Sequence, residues 1–253
     1  MTAEAAPALP QTCYPSVWLW PGQALYAGPS LNLAPHSGSV WCLAVGIDGP
    51  LTVATEDGTT ATAHSVLIPP RLTHQLTCHG TGLVSCYLEP TSERADAVRH
   101  KFDDWQNDVG VRHLDEVRLL FTPADDENAS HWLDLAAPVA QRRIDSRIAA
   151  AARAIRDDPA ATILSRELAA VAGLSESRFL HLFRDEFGTS VRRYRLWVRL
   201  MHAGAAIAAG DNLTTAAMKA GFASPSHLAD RFKTTFGLSA TQLLGTGLNL
   251  RTP

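Results

Sequence analysis

The side chains best placed for chemistry in this sequence lie in a short stretch of its second half. On a helix of about 3.6 residues per turn, one face of residues 176–187 is apolar because it holds Phe179 and Phe183. The opposite face offers Ser177, Arg178, Leu180, His181 and Arg184. Arginine and histidine can donate hydrogen bonds to guanine, and leucine can contact a thymine methyl group. The stretch therefore predicts a helix that reads base edges in duplex DNA.

A second stretch has the same layout, with Leu228 and Phe232 on its apolar face. Its opposite face offers Pro225, Ser226, Ala229, Asp230 and Lys233. Lys233 can pair with a phosphate, whereas Asp230 would be repelled by one. We therefore expect the first stretch to carry more of the base specificity.

Both stretches belong to one pattern that occurs twice. The copies share a small residue, a turn glycine and a capping serine, which are Ala169, Gly173 and Ser175, then Ala217, Gly221 and Ser224. The small residue lets two helices cross closely, the glycine can take a left-handed turn, and the serine can start the next helix. The pattern predicts two helix-turn-helix units, at about 165–187 and 213–236. A bundle with ordinary solvated faces is the alternative, but two copies within a basic segment favour DNA binding.

The segment between the two units predicts one continuous helix. Residues 191–209 comprise 19 residues, and such a helix would be about 28 Å long. Because B-DNA repeats about every 34 Å, helices at its two ends could enter successive major grooves. Arg192, Arg193, Arg195 and Arg199 lie along it. Arg195 and Arg199 are included among the predicted DNA contacts, with plain solvation as the alternative.

Charge is distributed unevenly along the chain. Residues 1–140 carry a net charge of -10, and residues 141–253 carry +7. An acidic half joined to a basic half is expected where only the second half must approach a polyanion.

Length and composition indicate a globular protein with two domains. The chain has 253 residues, of which 46% are hydrophobic. The N-terminus lacks the features of a secretory signal, and no run reaches the about 18 apolar residues of a membrane span. The cysteines, Cys13, Cys42, Cys78 and Cys86, form no Cys-x-x-Cys pair, which argues against a zinc finger or redox dithiol. We expect a cytoplasmic protein with packed, reduced cysteines and no membrane contact.

The first half alternates short apolar stretches with glycine and proline turns over residues 16–90, which is typical of a β-sandwich or barrel. Helical spacing follows over 92–121 and is interpreted as a dimerisation segment. The expected fold class is α+β, with this β-barrel or sandwich and its helical dimerisation segment over 1–121 and an acidic linker over 122–140. An all-α domain with the two helix-turn-helix units follows over 141–247, and a tail over 248–253.

The second half resembles the AraC/XylS family of transcription regulators over about 143–246. LAAVAGLSESRFLHLFRDEFG and AAMKAGFASPSHLADRFKTTFG are similar to its two units and stand in the family's order. The resemblance implies a sequence-specific DNA-binding regulator that forms a homodimer on double-stranded DNA. It favours activation over repression and makes RNA polymerase a further candidate partner.

The first half is similar to the cupin-like sensor domains of that family, in LAPHSGSVWCLAVGIDGPL and HSVLIPPRLTHQL. A metal-binding cupin needs a His-x-His pair and a Glu in the first segment and a His in the second. Only His36 and His74 occupy such positions, so we expect no metal and no cofactor. The candidates for a small-molecule effector pocket are His36, Trp41, His64 and His74, with ordinary packing as the alternative for the histidines.

The leading hypothesis is a transcription regulator, with no catalytic residues, whose N-terminal domain senses a small molecule or a protein partner. A cupin-type enzyme with an appended helical domain is the alternative, and it would need a complete metal set or an acid–base pair. A constitutive architectural DNA binder is a third class.

Overall fold

The computed structural model describes residues 15–140 and 143–253. Cys13, for which a packing role is expected, lies outside these ranges, as does residue 141, the predicted start of the helical domain. Within them a mostly β region is followed by a mostly helical one, which confirms the predicted fold class. No helix among the described residues is both long and apolar enough to cross a bilayer.

Eight strands occupy the part of the chain where the sequence predicts β-structure. They are β1 (Ser16–Trp20), β2 (Gln23–Pro29), β3 (Trp41–Gly46), β4 (Leu51–Thr55), β5 (Thr60–Ala63), β6 (Ser65–Ile68), β7 (His74–Cys78) and β8 (Gly82–Leu88). Three later strands are β9 (Asp104–Gln106), β10 (Val109–Val111) and β11 (Asn249–Arg251).

The strands form two sheets. One has the order β11-β1-β2-β8-β3-β6-β10-β9, and the other has the order β5-β4-β7. Because side chains alternate along a strand, successive residues of β3 enter different cores. Ala44 faces the core between the two sheets with Val66 and Leu76, whereas Leu43 faces a second core on the other side of the large sheet.

Helices α1 (Ala95–Arg99), α2 (Glu116–Leu119) and α3 (Asp126–Ala136) cover that other side. The segment 92–121, predicted to be helical throughout, contains α1 and α2 only as short helices, with the β9–β10 hairpin between them. Asn107 and Asp108 both have positive φ, at 49° and 66°. Two such residues form the type of tight turn that joins hairpin strands, and this turn chemistry overrides the helical spacing.

The acidic segment expected as a linker over 122–140 holds helix α3 instead. The Asp125 carboxylate accepts a hydrogen bond from the backbone N–H of Asn128 at 2.7 Å and so caps the helix. Acidic residues are favourable in a first helical turn, so the run that resembles a polar break starts a helix. Trp132 is completely buried and donates from its indole to the Leu119 carbonyl at 3.1 Å. The segment therefore belongs to the N-terminal core.

Within the described residues 143–253 there are seven helices in addition to β11. They are α4 (Ser146–Asp157), α5 (Ser165–Val171), α6 (Glu176–Phe187), α7 (Val191–Ala208), α8 (Leu213–Lys219), α9 (Pro225–Phe236) and α10 (Ala240–Leu244). Their main core includes Ile148, Phe183 and Trp197. Six of the seven begin with a side-chain cap from Asp, Ser or Asn, and α5, which follows Leu164, does not.

The two regions are joined by a buried polar cluster. Glu89, at the end of β8, is 2% exposed. Its Oε1 accepts hydrogen bonds from the Tyr194 hydroxyl at 2.7 Å and from Arg156 Nη1 at 2.8 Å. Burial, and then the charge of Glu89, raises the pKa of Tyr194, so its hydroxyl stays protonated and donates.

Candidate nucleic-acid interface

Helices α5 and α6 form the first helix-turn-helix unit. Ala169 is 1% exposed at their crossing, and Gly173 has φ +65° in the turn. Ser175 caps α6 by accepting a hydrogen bond from the backbone N–H three residues later, at 3.3 Å. Phe179 and Phe183 are fully buried. Each part of the unit that the sequence predicts is present. Because the phenylalanines bury one face of α6, the opposite face points away from the core of the domain.

Helices α8 and α9 repeat the arrangement. Ala217 is fully buried, and Gly221 has φ +76°. Ser224 caps α9 through its hydroxyl, at 3.1 Å from the backbone nitrogen three residues later, and Pro225 occupies the first turn. Leu228 is buried at 3% exposure.

The predicted DNA-contacting residues of the two units lie on the outer faces of α6 and α9, here called the reading helices. Nine of the ten side chains are exposed, and Ala229 is half-buried. The ten are Ser177, Arg178, Leu180, His181 and Arg184 on α6 and Pro225, Ser226, Ala229, Asp230 and Lys233 on α9. On α6, the His181 Nε2 atom lies 3.6 Å from the Asp185 carboxylate. The two faces are therefore open to a partner.

Helix α7 connects the two units as the sequence predicts, with 18 residues rather than 19. Two of its arginines are half-buried against the loop that joins α4 to α5. Arg195 donates to the Ile163 carbonyl, and Arg199 donates to the Pro159 carbonyl at 2.8 Å. Burial, and then the nearby Arg199, lowers the pKa of Arg195. These guanidinium groups hold the loop that precedes α5 against α7. That they also contact DNA remains a prediction.

The C-terminal end of α9 rests on the β region. The Gly237 carbonyl accepts a hydrogen bond from the Ala34 backbone N–H at 2.8 Å, and the Thr234 carbonyl accepts one from Ser37 at 3.2 Å. Gly237 has φ +78°, and a Cβ atom there would lie 2.5 Å from the Ala34 oxygen. Only glycine fits this position without displacing the loop.

Comparison with known proteins identifies the helical region. A helix-turn-helix domain family model matches residues 168–245, which run from within α5 to the end of α10. The C-terminal region is an AraC-type helix-turn-helix domain. This finding confirms the resemblance read from the sequence, and it confirms DNA-binding transcription regulation as the class of function. No curated protein matches the chain significantly.

Solved structures show the same overall fold. An apo ToxT variant from Vibrio cholerae strain SCE256 has 11% identity and a TM-score of 0.58, covering 89% of this chain and 97% of that chain. ToxT from Vibrio cholerae O395 has 11% identity and a TM-score of 0.58, covering 88% and 96%. Unsaturated fatty acid bound wild-type ToxT from strain SCE256 has 11% identity and a TM-score of 0.55, covering 88% and 94%. The AraC-type domain thus follows a β region in a known architecture.

The predicted effector residues do not form one pocket. His36 and His74 are buried with ring centroids 4.3 Å apart, and burial followed by the charge of His36 lowers the pKa of His74 to about 4. Trp41 lies in a separate open cleft, where the Arg99 guanidinium stands 5.3 Å from its ring centre. His64 bonds the Gly46 carbonyl at 3.1 Å. Among the described residues no three His, Cys, Asp or Glu side chains cluster as metal ligands do.

A different site lies between the AraC-type domain and the β region. It is an apolar cavity of about 130 Å³, called the interdomain cavity here. Its β wall includes Tyr26 and Ser85, and its helical wall includes Trp197 of α7 and Phe232 of α9. The sequence alone does not reveal this cavity, because its walls come from strands and helices far apart in the chain and its apolar residues have the pattern of an ordinary core.

Proposed function

We propose that the chain is a sequence-specific transcription regulator that binds duplex DNA with both reading helices and responds to a small molecule in the interdomain cavity. The observation that supports DNA binding most directly is the pair of capped, outward-facing helices α6 and α9 on either side of α7. The 18 residues of α7 correspond to about 27 Å of helix. This length suits entry into neighbouring major grooves, whose repeat is about 34 Å.

The interdomain cavity is proposed as the effector site because it touches a reading helix directly. Leu228, Phe232 and Phe236 line it from the inner face of α9, while Lys233 and Asp230 lie on the outer face. A ligand changes DNA affinity only if it binds two conformations unequally. An occupant that contacts both the β wall and α9 binds more tightly to the conformation in which the two walls are close than to one in which α9 has moved away. One ToxT structure carries an unsaturated fatty acid.

A homodimer is proposed through the segment 92–121. Leu114, Val117 and Trp105 are exposed there, at 60%, 83% and 41%. Apolar side chains grouped at a surface are typical of interfaces. Transcription activation, contact with RNA polymerase and a cytoplasmic location complete the proposal and rest on the resemblance. Cupin-type catalysis has no observation in its favour among the described residues.

The proposal is tested by selecting genomic fragments bound by the full chain and footprinting the strongest site. Two protected patches about 10 base pairs apart on one face of the DNA are expected. Affinity should fall steeply as salt rises, and Lys233→Ala should reduce the salt slope by about 1. Arg71→Gln removes the same charge at an exposed position of the acidic region, outside the segment 92–121, and should leave the slope unchanged. A flat salt profile or a single short footprint would contradict binding by both helices.

A further inference from the structure

The interdomain cavity has walls without charge. None of the described residues that line it is Asp, Glu, Lys, Arg or His. An ionised carboxylate placed there would lose its hydration without gaining a cation, which is strongly unfavourable. The cavity therefore favours an uncharged molecule, in contrast to the fatty acid that one ToxT structure contains.

The wall is not entirely apolar, because it contains the Ser85 hydroxyl and the Trp197 indole. Ser85 alternates along β8 with Val84 and Cys86, which face the other core, so its side chain faces the cavity. It is 3% exposed. Trp197 lines the same cavity, and its indole nitrogen is buried without a partner in the described structure. Tyr26, by contrast, is satisfied by the Pro29 carbonyl at 2.7 Å.

A buried donor without a partner, such as the Trp197 indole nitrogen, is uncommon in folded proteins, and a bound group is one explanation for it. A ligand oxygen in the cavity can accept a hydrogen bond from the Ser85 hydroxyl. The volume of about 130 Å³ is close to the about 150 Å³ of an apolar protein cavity that holds benzene. The matching occupant therefore contains a single ring.

We infer that the interdomain cavity binds a small, neutral aromatic or alicyclic carbonyl compound whose oxygen accepts a hydrogen bond from Ser85. This inference rests on the proposed effector site and adds the chemical class of the ligand. The part of the chain that would respond is α9, whose inner face forms the opposite wall.

The test compares three probes of similar size on the full-length protein by ligand-detected NMR titration. Acetophenone is neutral and has an acceptor, ethylbenzene has no acceptor, and benzoate is charged. Acetophenone is expected to bind about 3- to 10-fold more tightly than ethylbenzene, as one net hydrogen bond provides. Benzoate should bind more weakly than either.

Two variants separate the hydrogen bond from general packing. Ser85→Ala should reduce acetophenone affinity to that of ethylbenzene and leave ethylbenzene unchanged. Thr189→Val is the matched control, because it also removes a buried hydroxyl, at a position outside the cavity wall. It should alter neither affinity. Circular dichroism melting confirms that both variants are folded.

The outcomes separate this inference from the proposal on which it rests. If ethylbenzene binds and changes DNA affinity but acetophenone binds no better, the effector site stands and the acceptor inference is overturned. Tighter binding of benzoate, or an unchanged acetophenone affinity in Ser85→Ala, also overturns it. If no probe binds, the cavity is not an effector site and the inference fails with it, while DNA binding is judged by its own titration.

Discussion

The buried cluster around Glu89 gives a quantitative prediction for the substitution Glu89→Gln. Glutamine has almost the same shape, but it replaces an anionic acceptor with a neutral one. Three hydrogen bonds to the carboxylate, from Tyr194 at 2.7 Å, from Arg156 at 2.8 Å and from the Thr91 hydroxyl, lose their charged acceptor. The change therefore removes charge and leaves packing nearly intact.

The expected loss follows from the exposure of the two partners. Removing one member of a buried ion pair commonly costs about 3–5 kcal/mol because the other charge stays buried and uncompensated. Here the Arg156 side chain is 39% exposed while that of Glu89 is 3% exposed. Water can solvate part of the guanidinium, so we expect Glu89→Gln to lower the free energy of unfolding by about 2 kcal/mol.

Urea unfolding of the full chain at neutral pH measures this effect. Glu93→Gln is the matched control, because Glu93 is exposed a few residues away and should change stability by less than about 0.5 kcal/mol. A double-mutant cycle with Arg156→Met isolates the pair, and we expect a coupling energy of about 1–2 kcal/mol. If the two substitutions are additive, the cluster does not couple the β region to α4, and the reasoning is refuted.

Three further predictions concern other positions. Burial lowers the pKa of His74 to about 4 from 6.5. The contribution of His74 to the free energy of unfolding should therefore be constant above pH 6.5 and fall by about 3 kcal/mol as the pH decreases towards 4. An equally steep decline in the His74→Gln variant would contradict this. Gly237→Ala should destabilise the chain by about 2 kcal/mol, against about 1 kcal/mol for Gly173→Ala, because both have positive φ but only the first meets a backbone oxygen. Arg178→Ala should relax the preference at particular base pairs at about 1–3 kcal/mol, whereas Lys233→Ala should weaken all sequences equally; binding-site selection with each variant distinguishes the two effects.

The helical half could be predicted closely because its signals are local. A capping serine, a turn glycine and apolar residues three or four positions apart lie within a few residues of one another in each unit. Ser175 and Ser224 cap the helices that they are predicted to start, and Gly173 and Gly221 take the left-handed conformation. Helix caps and turn glycines depend on residues that are close in the chain, so they can be predicted from a single sequence.

The β region and its surroundings depend on contacts between distant residues. Trp132 makes 122–140 part of the N-terminal core by packing and by its bond to Leu119, which composition cannot reveal. The histidine pair and Trp41 lie in different places because sheet topology, which spacing does not encode, separates them. The tail predicted over 248–253 contains β11, which pairs with β1.

The pairing of β11 with β1 means that the AraC-type domain is anchored at both of its ends. The chain leaves the N-terminal core after α3 and returns to the same sheet after α10, where Arg251 bonds Asp126 at 3.0 Å and stands over the Trp18 ring. A segment fastened at two points cannot swing about one hinge. Reorientation of the reading helices must therefore either separate β11 from β1 or proceed as a small sliding of α7 and α9 across the β wall.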